Sequence, residues 1–154
     1  MRMRRATAGA VGVVGLSLVG TGIAAYLTAE YYAGSAPICG PTGGCAAVTS
    51  SSYATVAGVP VAVLGLAMYL ALLGMGLLHL VRGTTLPTAP LLVATVSGLG
   101  VAFSAYLTAL QLFIIHAICP WCVGSALTVL SILVISVAGM VNTRRRESQL
   151  ALPS

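Results

Sequence analysis

Long apolar stretches alternate with short polar segments along this chain. An α-helix needs about 20 mainly apolar residues to cross the hydrocarbon layer of a bilayer, and four stretches reach that length. They predict transmembrane helices at residues 6–29, 56–81, 91–115 and 120–141. The first stretch is longer than the apolar core of a secretory signal, so we expect it to remain as a helix. The pattern predicts an all-α integral membrane protein with one domain, residues 1–154, folded as a four-transmembrane-helix bundle.

Composition supports a membrane protein. Of the 154 residues 58 % are hydrophobic and only 6 % are charged, whereas about 25 % of residues are charged in soluble domains. The formal net charge of +5 could suit nucleic acid, but the basic residues flank apolar stretches and do not cover a folded face. We therefore expect a lipid bilayer around the protein and no nucleic-acid partner. The basic residues are Arg2, Arg4, Arg5, Arg82, Arg144, Arg145 and Arg146.

The positions of these arginines predict the orientation in the membrane. With four crossings, all seven fall on the side that holds both termini and the connection between helices 2 and 3. Positive residues concentrate on the cytoplasmic side, so both termini are predicted to be cytoplasmic in a multi-pass protein of the cell membrane. Residues 30–55, which contain no Lys or Arg, then form an extracytoplasmic loop between helices 1 and 2.

All four cysteines fall on the predicted extracytoplasmic side, where disulfides are permitted. Cys119 and Cys122 form a Cys-Pro-Trp-Cys motif at the start of the fourth helix, and Pro120 suits the first helical position. A thiol in the first turn of a helix meets unpaired N–H groups, which lower its pKa. The motif predicts a redox dithiol. Half of a metal site and two inert core cysteines are the alternatives, and the absence of a second Cys-x-x-Cys fits zinc poorly.

The other two cysteines, Cys39 and Cys45, bound a Gly-rich segment of the loop. A flexible segment can move between a partner in water and Cys119, and thiolate attack on a disulfide passes through a mixed disulfide. The two pairs therefore predict a relay for electrons. The alternative is a static bridge between Cys39 and Cys45 that only braces the loop.

A faint internal repeat relates the first and third helices at an offset of 80 residues. Gly20 and a Tyr-Leu-Thr-Ala motif from Tyr26 recur as Gly100 and the same motif from Tyr106. Duplication of a two-helix hairpin and chance similarity between apolar helices are both consistent with this pattern. We expect the small residues to allow close contact between helices.

Several short motifs follow one another in a characteristic order. They are the loop cysteine pair, the segment Ser50 to Thr55 (SSSYAT), the segment Gly58 to Gly65 (GVPVAVLG) and the Cys-Pro-Trp-Cys motif. In order and spacing, the chain resembles the vitamin K epoxide reductase family in its short bacterial form, without a fused thioredoxin domain. The resemblance extends from about residue 20 to residue 140.

The resemblance implies a helical bundle around a membrane quinone, of menaquinone or ubiquinone type, with an extracytoplasmic thioredoxin-fold thiol oxidase as electron donor. By position, Cys45 would exchange with the partner, Cys39 would pass electrons to Cys119, and Cys122 would face the quinone. Ser51 matches a loop serine or threonine of the family and would therefore contribute to the quinone site. Its alternative role is that of a turn hydroxyl.

Two further expectations concern the acceptor. We expect the quinone to lie in the apolar bundle against Cys122, with Ala62, Leu66 and Ser125 as wall residues. Vertebrate members of the family have a tyrosine four residues after the second cysteine of the motif, where this chain has Ala126. The difference favours reduction of a quinone over reduction of its epoxide.

We therefore predict an enzyme, a quinone-dependent thiol oxidoreductase that supports extracytoplasmic disulfide formation. One alternative is a vitamin K-type quinone or epoxide reductase that serves quinone recycling. Another is a non-catalytic membrane subunit with structural disulfides. His116 is a candidate proton donor or simply an interfacial residue, while Trp121 and Tyr53 are predicted to be aromatics of the membrane interface or of the pocket wall.

Overall fold

Helices form almost all of the protein. The computed structural model describes residues 2–40, 44–82 and 89–150. The helices are α1 (Arg2–Ala33), α2 (Gly44–Thr49), α3 (Val61–Arg82), α4 (Ala89–Leu110) and α5 (Pro120–Leu150). Four of them, α1, α3, α4 and α5, contain apolar segments long enough to cross a membrane. This confirms the predicted all-α, four-helix membrane fold.

The second membrane helix begins later than predicted. Residues 56–60 are not helical, because Ala57 and Gly58 have φ angles of 51° and 82° and reverse the chain. The reversal pairs two short antiparallel strands, β1 (Thr55–Val56) and β2 (Val59–Pro60). Positive φ at both central residues matches the twist of a tight hairpin. A hairpin therefore closes the loop before α3 starts at Val61.

Other predicted boundaries also shift. Helix α1 continues to Ala33 instead of ending at residue 29, and α5 continues to Leu150 instead of ending at residue 141. Helix α4 ends at Leu110, and the rest of the predicted third helix is a π-helical turn, Gln111–Ile115. Such turns interrupt the regular i to i+4 hydrogen bonding of a helix and often occur at functional sites.

Helix α1 packs against both α3 and α5, and α4 packs mainly against α5, while α3 and α4 contact each other less extensively. The centre of the bundle is formed by buried apolar side chains that interlock between the helices. The largest of them are Tyr69, Leu72, Val129 and Ile132. The weak seam between α3 and α4 leaves room for a cavity on that side.

The two glycines of the internal repeat pack against neighbouring residues of α3. A side chain at Gly20 would overlap the ring of Tyr69. One at Gly100 would come within 2.6 Å of the Met68 sulfur. Both glycines therefore allow close helix contact, as the sequence predicts.

The four cysteines lie at one end of the bundle. Helix α1 runs toward this end and leads into the segment of Cys39, and α5 starts here and runs away toward Arg144 and Arg145. Helix α2 and the hairpin occupy the same end. The loop between the first two membrane helices is thus a folded cap over the start of α5.

Candidate functional site

The short helix α2 holds Cys45 against the Cys-Pro-Trp-Cys motif. Cys45 is fully buried, and its Sγ lies 3.6 Å from Sγ of Cys119. The preceding residue, Gly44, packs so closely on the backbone of Ile118 that no side chain fits between them. Glycine is thus required here for a close approach of two backbones.

The structure contains one disulfide, between Cys39 and Cys45, with the two Cα atoms 5.9 Å apart. Cys119 and Cys122 are free thiols. Cys39 is half-buried, whereas Cys45 and Cys119 are fully buried. Cys45 thus joins the loop disulfide to the motif, and Cys39 is the more exposed member of the loop pair.

The contact between Cys45 and Cys119 differs from the contact expected from the order of electron transfer that the family resemblance implied. We expected Cys45 to meet the partner and Cys39 to pass electrons to Cys119. Instead, Cys45 lies against Cys119 and Cys39 is the more accessible of the loop pair. The physical reason is the fold of the loop, because α2 turns Cys45 inward and leaves Cys39 in the irregular segment before it.

Cys119 occupies the position just before α5, where its sulfur acts as a helix cap. The backbone N–H of Cys122 donates to Sγ of Cys119 at 3.4 Å. The pKa of Cys119 is lowered to about 7, chiefly by the hydrogen bond from the Cys122 side chain, with smaller help from the backbone N–H groups of Cys122 and Trp121; burial opposes the shift. Donors at a helix start stabilise a thiolate in this way. The sequence predicts such a thiolate in the first turn, and the structure locates it at the cap.

A buried glutamine holds the other side of Cys119. Oε1 of Gln111 accepts the backbone N–H of Cys119 at 2.9 Å. Gln111 begins the π-helical turn, and its own carbonyl accepts the N–H of Ala117 at 3.1 Å, which closes the turn. The sequence analysis missed this residue. A lone glutamine at the end of an apolar span was the available signal, since buried polar groups need partners.

His116 directly follows the same π-helical turn. This residue has a left-handed backbone (φ 55°), its side chain is exposed, and Nδ1 hydrogen-bonds the carbonyl of Ile114 at 3.2 Å. It does not line the cavity described below. The geometry favours the interfacial role over proton donation to an acceptor.

An aromatic pair fastens the segment before Cys39 to the motif. The hydroxyl of Tyr26 accepts the backbone N–H of Ile38 at 3.0 Å, and Nε1 of Trp121 donates to the carbonyl of Ile38 at 2.9 Å. The two rings lie 5.0 Å apart. Trp121 is therefore a tether for the loop, which the interfacial or pocket-wall prediction did not include.

We expect loss of either hydrogen bond to loosen this segment. Tyr26→Phe and Trp121→Phe keep an aromatic ring but remove one bond each, which is worth about 1 kcal/mol. Amide hydrogen exchange at Ile38 should accelerate roughly fivefold in each variant, as that energy implies. Tyr53→Phe, a change at an exposed hydroxyl, is the matched control. Unchanged protection of Ile38 in both variants would contradict the tether.

A cavity of about 470 Å³ lies beside the motif, within the usual size range of small-molecule sites. Its walls come from α1, the loop, α3, α4 and α5, and most of them are apolar. Leu64, Leu99 and Phe103 line it while remaining 41, 74 and 36 % exposed on the bundle surface. The cavity therefore opens between α3 and α4 toward the lipid.

Four of the five predicted wall residues line this cavity, namely Cys122, Ser51, Ala62 and Ser125. The fifth, Leu66, does not line this cavity. Leu66 packs against the core cluster instead. Successive residues of a helix point about 100° apart, so Leu66 turns away where its neighbour Gly65 faces the cavity.

The hydroxyl of Tyr69 positions Ser125 on the cavity wall. Tyr69 is fully buried, and its hydroxyl donates to the Ser125 carbonyl at 2.7 Å and lies 3.0 Å from the Ser125 hydroxyl. Ser125 follows Cys122 by one turn of α5, so the bond fixes this wall next to the inner thiol. Tyr69 was missed from sequence, although a tyrosine inside an apolar span calls for a buried hydrogen-bond partner.

A bundle of four membrane-spanning helices with two cysteine pairs and an apolar cavity at one end defines a membrane oxidoreductase of the thiol and quinone kind. The model of the vitamin K epoxide reductase family matches residues 11–137, so the chain belongs to that family. This confirms the resemblance. A comparison with curated protein sequences found no match.

Proposed function

We propose that this protein oxidises the dithiol of an extracytoplasmic thioredoxin-fold protein and passes the two electrons to a membrane quinone. The observation that carries the proposal is the 3.6 Å contact between Cys45 and Cys119, with Cys122 of the same motif on the cavity wall. The contact joins the loop disulfide to the motif, and Cys122 joins the motif to the lipid-facing cavity.

The first exchange takes place at Cys39. A thiolate of the partner attacks Sγ of Cys39, the Cys39–Cys45 bond breaks, and Cys45 leaves as a thiolate. The second thiol of the partner then attacks the partner sulfur that is bonded to Cys39 in the mixed disulfide. This forms the partner's disulfide and releases Cys39. The partner has lost two electrons, and the loop pair is reduced. Exposed Ile38 beside Cys39 supplies an apolar contact for the partner.

The second exchange joins the two pairs. The Cys45 thiolate attacks Cys119 of an oxidised motif, and Cys122 leaves with the electron pair of the broken Cys119–Cys122 bond. Cys39 then attacks Cys45, which restores the loop disulfide and releases Cys119. The lowered pKa of Cys119, about 7, makes it a good leaving group in that step. The loop disulfide and the two thiols of the structure correspond to the state that follows.

The last transfer occurs in the cavity. A quinone of menaquinone or ubiquinone type supplies a two-electron, two-proton acceptor, and Cys119 and Cys122 re-form their disulfide as they deliver both. The residues present fit such a ring, since the cavity is large enough, mainly apolar and open to lipid. Ser51, Ala62 and Ser125 form part of its wall.

The orientation in the membrane belongs to the same proposal. The cysteine end of the bundle faces out of the cytoplasm, and the arginine-rich helix ends face in, because positive residues stay on the cytoplasmic side. A water-borne dithiol partner then reaches Cys39 in a compartment that permits disulfides.

A reconstituted reaction tests the proposal. The purified protein in lipid vesicles with a menaquinone analogue is supplied with a reduced thioredoxin-fold protein. We expect one quinone reduced for each partner disulfide formed, and no reaction with the Cys39→Ser variant. Quinone reduction by a small dithiol, without partner oxidation, would favour quinone recycling instead. Two permanently intact disulfides and no turnover would indicate the structural subunit.

A further inference from the structure

One side chain touches both the redox motif and the cavity. Gln111 lines the cavity, is only 3 % exposed, and binds the backbone N–H of Cys119 through Oε1. The adjoining Cys122 lines the same cavity. Burying an amide in an apolar membrane bundle costs free energy unless both its oxygen and its nitrogen find hydrogen-bond partners.

The amide of glutamine offers one acceptor and two donor hydrogens. Because Oε1 faces Cys119, the donor end, Nε2, is left for another group. A quinone carbonyl can only accept hydrogen bonds. A polar side chain of the cavity is therefore a useful partner for it only if that side chain has a hydrogen to donate.

The hydroxyls of the loop and α4 that line this cavity mostly donate their hydrogens to backbone carbonyls of the protein. Thr49 donates to the carbonyl of Cys45 at 2.8 Å and Ser51 to that of Val48 at 2.7 Å. Thr108 donates to the carbonyl of Ser104 at 2.8 Å. Such side chains present lone pairs to the cavity. Nε2 of Gln111 belongs to a cavity side chain whose other end binds the backbone of the motif.

We propose that Gln111 binds the quinone, with Nε2 donating to the carbonyl oxygen nearest Cys122 while Oε1 holds the backbone of Cys119. The inference rests on the proposed function and names a residue that positions the acceptor against the thiols. One rigid side chain would then fix both reacting groups, which is how positioning lowers a barrier.

The same bond has a chemical consequence. As Cys119 and Cys122 give up two electrons, negative charge develops on the carbonyl oxygen before a proton reaches it. An N–H already aimed at that oxygen stabilises the charge without reorganisation. The amide does not transfer a proton itself: Cys122 supplies one proton of the product, and Cys119, or water where Cys119 is ionised, supplies the other. Gln111 thus favours the electron transfer through its dipole.

Quinone binding can be measured without turnover. Trp121 is the chain's single tryptophan and lies within the motif, so a short-chain naphthoquinone in the cavity should quench its fluorescence. In Gln111→Met we expect the Kd to rise about tenfold, the size of one lost hydrogen bond. Ser131→Ala, which removes a polar group from the exposed face of α5 away from the cavity, is the control, with an unchanged Kd.

The carbonyl stretch of a ¹³C-labelled naphthoquinone gives a signature that a purely structural role would not change. In the wild-type protein one carbonyl band should move to lower frequency, and in Gln111→Met that shift should vanish. Gln111→Glu keeps the acceptor for Cys119, and serves if the methionine variant does not fold. Its quinone affinity should fall when the carboxyl is ionised and recover on acidification.

The outcomes separate the two proposals. If the wild-type protein binds the quinone but the affinity and the carbonyl band are the same in both Gln111 variants, the role of Gln111 is refuted and the proposed function stands. A shift lost in Ser131→Ala alone would also refute it. If the wild-type protein neither quenches nor shifts the band, quinone binding itself fails.

Discussion

A protein that keeps only Cys45 and Cys119 is expected to close a disulfide between them almost quantitatively on mild oxidation. Cys39→Ser together with Cys122→Ser creates this protein. The two remaining sulfurs already lie 3.6 Å apart in a buried contact, so little movement is needed to bond them. Partner-driven quinone reduction should fall below detection, because both pairs lack one thiol. Peptide mapping without reduction and thiol counting with a maleimide reagent measure the yield.

The matched control keeps Cys39 and Cys119 instead, through Cys45→Ser and Cys122→Ser. Because Cys45 already contacts Cys119, we expect the Cys39–Cys119 bridge to form more slowly than the Cys45–Cys119 bridge. Equal rates in the two proteins would overturn the order derived from the structure. A faster bridge from Cys39 would restore the order that the family resemblance implied.

Gly44→Ala is expected to uncouple the loop from the motif. The added methyl group would overlap the backbone of Ile118, which cannot move aside as a flexible side chain could. Helix α2 must then shift away and carry Cys45 from Cys119. Since displacements of about 1 Å can cost a hundredfold in rate, partner-driven turnover should fall by roughly that factor. Alanine favours helices over glycine, so α2 itself should persist.

A bypass assay shows whether uncoupling is the cause. A small dithiol can reduce the Cys119–Cys122 bond directly, so quinone reduction by dithiothreitol should persist in Gly44→Ala while partner-driven reduction is lost. Gly22→Ala is the control, because a side chain there would meet no other group within 4 Å. Equal loss in both assays would mean that the motif or the cavity is damaged, which contradicts the proposed role of Gly44.

The membrane fold and the cysteine motif at the start of α5 could be predicted from the sequence. Apolar length depends only on local composition, and it correctly predicted four helices long enough to span a membrane. The Cys-Pro-Trp-Cys spacing likewise predicted a cap and a proline at the start of α5, where the structure has them. These features are local, because a helix and its cap form within a few residues of one another.

The differences between the expected and the observed positions share one cause. Leu66 was placed on the cavity wall from its neighbourhood in sequence, but the rotation of α3 against the bundle decides which side chains face inward. Which of Cys39 and Cys45 contacts Cys119 depends on how the loop folds back on the start of α5. Gln111 and Tyr69 were missed since the partners that give them a role, Cys119 and Ser125, lie on another helix.

Primary structure alone thus sufficed for the class of molecule, its spans and the chemistry that its thiols can perform, because each follows from residue type and spacing over one helix or one motif. Only three-dimensional packing decided which sulfur meets which, what lines the cavity and which amide reaches it. Those facts depend on contacts between residues such as Cys45 and Cys119 that are 74 positions apart. Packing of several helices against one another brings such residues together, and no short stretch of sequence specifies it.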